Sequence, residues 1–298
     1  MYAQFFGTFL LSHNVVTKDQ LLSALGKKSS QHMKLGTLAI MKGYMTANEV
    51  DNVIISQTHN DCRFGDLAVR EGYLTQEQVD ELVKTQYPDF LLLGQTLVDE
   101  GYITNTQLET LIVDYESENE LTDLDYSNEK QDDLDRILAN FFHTTDVAAD
   151  EYNASYMRLL FNDLTRFIGD DFTPLCFNPC KEYPVNYCVS QTIHGDLSAK
   201  VYLDMPETTC ISFASRYVNE EFTEFDEYVQ ASLEDFVNLQ NGLFIVNVSN
   251  TSNTELTLGA PEHITVSPIQ FSGRTLHIPV LYTFGTIDFY MERVSIKE

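Results

Sequence analysis

The chain has 298 residues, 43% of them apolar, which is enough for two ordinary hydrophobic cores. Eighteen basic residues against 45 acidic ones leave a net charge of −27, a surface that repels nucleic acid and anionic lipid and favours a basic protein partner. The longest apolar run near residues 90–93 is four residues, far short of a membrane span, and the opening MYAQFFGTFLLS has no basic leader. No membrane insertion and a cytoplasmic location are expected.

Four copies of one 29-residue unit open the chain, starting at Phe5, Lys34, Arg63 and Leu92 without insertion or deletion. A period of this size predicts a stack of supersecondary units, because one unit alone cannot bury its apolar face. Each unit has a Gly near its start (Gly7, Gly36, Gly65, Gly94), then an apolar stretch, then a stop at Asn14, Gly43, Gly72 or Gly101. Gly and Asn are the residues that tolerate the left-handed conformation ending a helix. Three residues later Thr17, Thr46, Thr75 and Thr104 are each followed at the third position by Gln20, Glu49, Gln78 or Gln107, a capping box in every copy. The unit is therefore a helical hairpin, and residues 1–115 are expected to be all-α.

The same unit resembles the N-terminal nucleotide-sensing domain (MshEN-like) of type II secretion and pilus-assembly ATPases, built from tandem 24-residue motifs separated by five residues. The third and fourth copies carry the resemblance best, through Arg63, Gly65, Gly72 and Gln86, then Leu92, Leu93, Gly94 and Gly101. In that family such tandems bind cyclic di-GMP. The resemblance implies a nucleotide site at Arg63, Gly65, Gln86, Leu93 and Gly94, with Lys34 and Gln57 as the counterpart in the second copy. The chain departs from the pattern at Phe64, at Phe5 in place of the first Arg, and at Lys34, which keeps the charge without the planar fork.

Residues 116–135 hold nine acids against Lys130 alone, which reads as a self-repelling, solvated linker. The second domain, residues 136–298, opens with apolar Ile137, Leu138, Phe141 and Phe142, then a helix over 151–169. Segments 184–194 and 198–205 alternate apolar and polar around Gly195–Asp196, which predicts a β-hairpin. Pro206 opens a helix through residue 217, and 227–243 forms another. Segments 255–258, 263–271 and 274–294 close the chain, the last with a hairpin about Gly285–Thr286. The fold class is α+β overall: helical-hairpin repeats followed by a two-layer α+β domain.

Cys62, Cys176, Cys180, Cys188 and Cys210 have no framework spacing and read as reduced packing thiols. The seven His show no ligand spacing, so no metal site is expected.

Candidate chemistry sits on the 227–243 helix. Ala231, Asp235, Asn238 and Gly242 fall at steps of four, three and four and form one stripe, while Val229, Leu233, Phe236, Val237, Gln240 and Phe244 lie largely elsewhere. The stripe presents an acid and an amide between two small residues. Asp235-x-x-Asn238 followed by Pro261, within SLEDFVNLQNGLF and GDLSAKVYLDM, resembles the chemotaxis phosphatases CheC and CheX over roughly residues 150–298. The resemblance implies that Asp235 contacts the lysine of a phosphorylated response-regulator receiver and that Asn238 positions the attacking water. The receiver would supply Mg²⁺, so no cofactor of this chain's own is expected. The family's acid is normally Glu; Asp235 is shorter by about one C–C bond, ~1.5 Å, and Glu234 restores the length but points roughly 100° away around the helix. Glu234, Gly242 and Pro261 are the supporting residues. The resemblance also implies a homodimer. Two readings stand: an aspartyl-phosphate phosphatase with a sensory or localising module, and a non-catalytic signalling adaptor.

Overall fold

A computed structural model describes residues 2–28, 31–85, 87, 89–119, 137–141, 151–176, 178–196, 198–252, 255–264 and 266–293. The chain divides into two compact units, Tyr2–Ile137 and Leu138–Glu298.

Every regular element among the first unit's described residues is a helix. Helices α1 (Tyr2–Ser12), α2 (Lys18–Lys28), α3 (Leu35–Met41), α4 (Ala47–Gln57), α5 (Phe64–Arg70), α6 (Gln76–Lys84), α7 (Asp89–Asp99) and α8 (Asn105–Glu118) form the four hairpins. The stops work as the sequence implies: Asn14, Gly43, Gly72 and Gly101 have φ of 55°, 67°, 82° and 72°. All four capping boxes are made, three with both arms at the start of α4, α6 and α8. The fourth has Thr17 N–H donating to Gln20 Oε1 at 2.9 Å and Gln20 N–H to Thr17 Oγ1 at 3.3 Å.

Two details differ from the sequence reading. The first helices of copies one and four start well before their Gly, whereas Lys34 and Arg63 stand as extended N-cap residues of α3 and α5. Apolar residues at the start of copies one and four let the helix continue and bury: Phe6, Phe90, Leu91 and Leu93 are essentially inaccessible. The copies also do not form an open linear stack. Helix α7 packs on α1 and α2, α8 packs on α3 and α4, and α3 and α4 pack on α5 and α6. The fourth copy closes back on the first through an aromatic cluster, with Phe6–Phe90, Phe6–Tyr115 and Phe90–Tyr115 centroids 5.2, 5.0 and 5.4 Å apart. Helix α8 runs to Glu118, past the predicted edge at residue 115, and the predicted linker from 120 to 135 lies outside the described residues.

The second unit opens with helical residues 138–141, with Leu138 and Phe141 buried. Helix α9 (Glu151–Asp163) ends in a π-helical turn, Leu164–Ile168. Strands β1 (Phe172–Pro174), β2 (Asn178–Tyr183), β3 (Tyr187–Gly195) and β4 (Ala199–Met205) precede helices α10 (Glu207–Val218) and α11 (Glu227–Ser252). Then come β5 (Leu256–Leu258), β6 (Glu262–Ile264), β7 (Ile269–Tyr282) and β8 (Gly285–Arg293). The antiparallel sheet runs β1-β7-β8-β4-β3-β5, with β2 also on β7 and β6 also on β3.

The β3–β4 hairpin forms as expected. The second hairpin turns at Thr283–Phe284, since Tyr282 pairs with Gly285, rather than at Gly285–Thr286. Pro206 is the N-cap of α10, one position ahead of the first helical residue. Helix α11 does not stop at residue 243: Phe244 and Val248 continue its buried face. Segment 263–271 contributes to two strands, β6 and β7.

The sheet is buried on both faces. Alternate residues of β4 and β8 (Val201, Leu203, Ile287, Phe289) face the helices, with Phe289 6.5 Å from Phe236 of α11. On the other face Cys188, Tyr202, Ile269 and Tyr290 make a second small core, covered by Cys180, Tyr183, Val185, Ile264 and Phe271 as the sheet curls. Three carboxylates are sunk there and each is satisfied. Asp204 accepts from Asn186 N–H and Nδ2, Asp288 from the Tyr183 hydroxyl and His277, and Glu292 from the Tyr202 hydroxyl and Ser272.

Candidate active site

The 26 residues of α11 start from Asp226, whose Oδ1 accepts the backbone N–H groups of Tyr228 and Val229 at 3.0 Å each. Its inner face is the apolar set expected from the sequence, with Val229, Leu233, Phe236, Val237 and Phe244 all inaccessible. Ala231, Asp235 and Asn238 are exposed on one stripe with half-buried Gly242. A Cβ at Gly242 would meet nothing within 4 Å, so this chain's own packing does not demand a glycine there.

Both acids already have partners. Tyr217 of α10 donates its hydroxyl to Asp235 Oδ2 at 2.6 Å. Burial, then the neighbouring Asp235 carboxylate, push the Tyr217 phenol well above its ordinary value, so it stays a donor. Glu234, a turn of about 100° away, is engaged by His263 Nε2 of β6 and is not part of the stripe. Pro261 is half-buried in the 259–261 connection between β5 and β6, both of which pair with β3.

Beneath Asn238 lies a chain of buried amides. Gln191 of β3 donates from Nε2 to Asn238 Oδ1 and to the Gly259 carbonyl, each at 2.9 Å. Asn241 Nδ2 donates to Gln191 Oε1 at 2.9 Å, and the Tyr156 hydroxyl of α9 donates to Asn241 Oδ1 at 3.1 Å. Next to it Gln240 meets Asp163: with its amide nitrogen turned to Asp163 Oδ2 at 2.6 Å, its oxygen accepts from Leu160 N–H at 3.2 Å. Burial raises the Asp163 carboxyl to about 6, and Arg166 only partly opposes this.

In the repeat unit, the residues expected at a nucleotide are separated by burial. Leu93 is fully buried and belongs to the core, not to a ligand surface. Gly94 and Gly65 serve the hairpins: a Cβ at Gly94 would lie 2.5 Å from Leu108 Cδ1, and one at Gly65 3.1 Å from Val79 Cγ1. Arg63 is exposed, with no partner among the described residues, while Gln86 lies outside them. Lys34 and Gln57 do come together. They line a groove of about 330 Å³ with Leu35, Gly36, Thr37, Val50, Ile54 and Phe64. Lys34 Nζ is paired with Asp99 of the fourth copy, and its N–H donates to Gln95 Oε1 at 2.6 Å.

No protein-family model matches the chain, and no curated protein matches it. Solved structures resemble it over about half its length, at the C-terminal half. A CheC-like superfamily protein from Shewanella sp. PV-4 is 15% identical with a TM-score of 0.44, over 49% of this chain and 99% of that one. CheX in a CheX–CheY–BeF3–Mg²⁺ complex from Borrelia burgdorferi is 17% identical with a TM-score of 0.40, over 49% and 99%. FliY from Thermotoga maritima is 12% identical with a TM-score of 0.35, over 47% and 84%. The repeats' likeness to nucleotide-sensing domains is not among these matches. Among the described residues no helix is long and apolar enough to cross a membrane, and no group of three or more His, Cys, Asp or Glu could hold a metal.

Tyr217, Gln191, Asn241 and Tyr156 are the site residues that sequence reasoning missed. A signal existed for two of them. Gln191 sits between Val189 and Ile193 at an inward position of β3, and Asn241 adjoins the apolar stripe of α11, where an amide demands partners. For Tyr217 and Tyr156 only the packing of α10 and α9 against α11 supplies the contact.

Proposed function

We propose that the second unit is a phosphatase for the aspartyl phosphate of a response-regulator receiver, acting through Asp235 and Asn238. One observation carries this reading: an acid and an amide stand exposed one turn apart on the outer face of a helix whose inner face is core, and both are held from behind by hydrogen bonds. Among the described residues of the second unit nothing encloses them, so the reacting group is expected to come on a partner's surface. That suits a phosphoryl group presented by another protein.

In this reading Asp235 meets a cation of the receiver through Oδ1, since Oδ2 is held by Tyr217. Asn238 orients a water in line with the phosphorus, the role an amide side chain plays in other phosphoryl transfers. The water oxygen bonds to phosphorus, the P–O bond to the receiver's aspartate breaks with its electron pair on the carboxylate, and a water proton ends on the released phosphate. Mg²⁺ is the receiver's, neutralising the phosphoryl oxygens. The repeats are the sensory or localising module, with the Lys34–Gln57 groove and exposed Arg63 as the cyclic di-GMP surface. Its size is at the lower end of small-molecule pockets, about 300–1,000 Å³. Calorimetry of cyclic di-GMP on the full chain, beside Arg63→Ala and Lys34→Ala, tests that part. No heat at high micromolar nucleotide leaves the repeats as a scaffold. The test of the phosphatase is the decay of a phosphorylated receiver with and without the protein; unchanged decay across a panel of receivers favours a non-catalytic adaptor.

A further inference from the structure

The hydrogen-bond chain under α11 can be read for the direction of every proton, because one member cannot turn over. The Gly259 carbonyl is an acceptor only. The Gln191 amide end 2.9 Å from it is therefore nitrogen, and both protons of that nitrogen are spent, one on Gly259 and one on Asn238 Oδ1. The other end of Gln191 is oxygen, so Asn241 must face it with Nδ2. Asn241 Oδ1 is then left for Tyr156, whose phenol burial keeps firmly protonated and donating. Gln191, Asn241 and Tyr156 are at most 1% exposed, so no water competes with the arrangement. Asn238 is the sole exposed member.

From this we infer that Gln191 is a positioning residue for Asn238, holding its carbonyl inward and its NH2 outward to the partner. This rests on the phosphatase reading above. An exposed Asn amide without such an anchor presents either end to solvent, so a reacting group would meet the wrong atoms for part of the time. With the anchor, the outward NH2 is fixed as a donor toward developing negative charge on the phosphoryl oxygens. The preference comes from the Gly259 carbonyl, two links from Asn238 and in the connection that contains Pro261. That connection is itself pinned by Gly259 N–H donating to Thr192 O at 2.8 Å.

Gln191→Glu is the sharpest test, because it keeps the shape and the acceptor for Asn241 but replaces the donor with a carboxylate oxygen. Charged, that oxygen repels both the Gly259 carbonyl and Asn238 Oδ1, and protonated it has one proton for two acceptors, so the hold on Asn238 is lost or weakened in either form. With the full-length chain and a phosphorylated receiver, kcat should fall by roughly twofold to tenfold, the weight of one hydrogen bond, and KM should hold, because Gln191 does not reach the surface. Gln191→Leu serves as a second variant, with circular dichroism checking that each is folded. The side-chain amide resonance of Asn238, assigned by its loss in Asn238→Asp, should move in both variants. Full turnover in a folded variant, or a fall in binding with kcat kept, overturns the inference. If the wild-type chain accelerates no receiver, the phosphatase reading fails and the resonance decides alone: displaced, Gln191 orients Asn238; unmoved, it does not.

Discussion

In the proposed phosphatase, Asn238 and Asp235 carry the chemistry at the level of single residues. Asn238→Ala should leave the fold intact, as its side chain is exposed, and remove acceleration of receiver dephosphorylation, a contribution of ~10²–10⁴ for positioned groups. Asp235→Glu should raise the rate by restoring reach, and Tyr217→Phe in the wild-type background should lower it, since the hydroxyl that holds Asp235 Oδ2 is then gone; receiver decay measures both. Asp163 makes a different statement, about stability. Its carboxyl is raised to about 6 in the folded chain against an ordinary 3.8, so between those values the folded state holds more protons than the unfolded one. Stability from this group is therefore fully present below about pH 3.8 and is lost as pH rises through about 6. Urea midpoints across that window should decline less steeply in Asp163→Asn than in the wild type. A parallel course in the two proteins would mean that Asp163 is not the group responsible.

The helices and strands show how local signals and packing divide the work. Every hairpin of the repeats was legible in the sequence, because stops and capping boxes are written within a few residues of where they act. Gly43→Ala and Gly94→Ala separate the two uses of glycine. At Gly43 φ is 67° and nothing lies within 4 Å, so the cost is backbone strain alone, about 1–2 kcal/mol. At Gly94 the new methyl meets Leu108 Cδ1 at 2.5 Å, an overpacking cost of roughly 1–3 kcal/mol. Leu108→Ala should offset part of the second and none of the first in a double-mutant cycle. The length of α11 was less legible: Gly242 reads as an end, but Phe244 and Val248 find core partners and the helix runs on to Ser252. Strands β1 and β2 were not read at all. They are short, and their pairing with β7 across about a hundred residues has no local signature. The orientation of Asn238 was beyond reach for the same reason, since Gln191 and Gly259 join it only through sheet pairing.

Across the whole chain, the departures from the repeat consensus carried more than the consensus. Phe5 and Leu92 break the basic pattern of Lys34 and Arg63, and the structure accounts for it: copies one and four are joined at Phe6, Phe90 and Tyr115. The period alone could not say this, because it is equally consistent with an open stack. Removing residues 1–33 should therefore collapse the helicity of the remaining repeats, where an open solenoid would lose only its own end; far-ultraviolet circular dichroism on the truncated chain distinguishes the two. We also propose a homodimer through residues 150–298, checked by light scattering at high concentration, where a monomer would reject it. In our proposal the exposed Asp235–Asn238 stripe performs hydrolysis on a partner's phosphoryl group. Its most direct measurement is the decay rate of a phosphorylated receiver with the wild-type chain beside Asn238→Ala. The wild-type chain should accelerate decay and Asn238→Ala should leave it at the receiver's own rate; equal decay with both proteins would overturn the proposal.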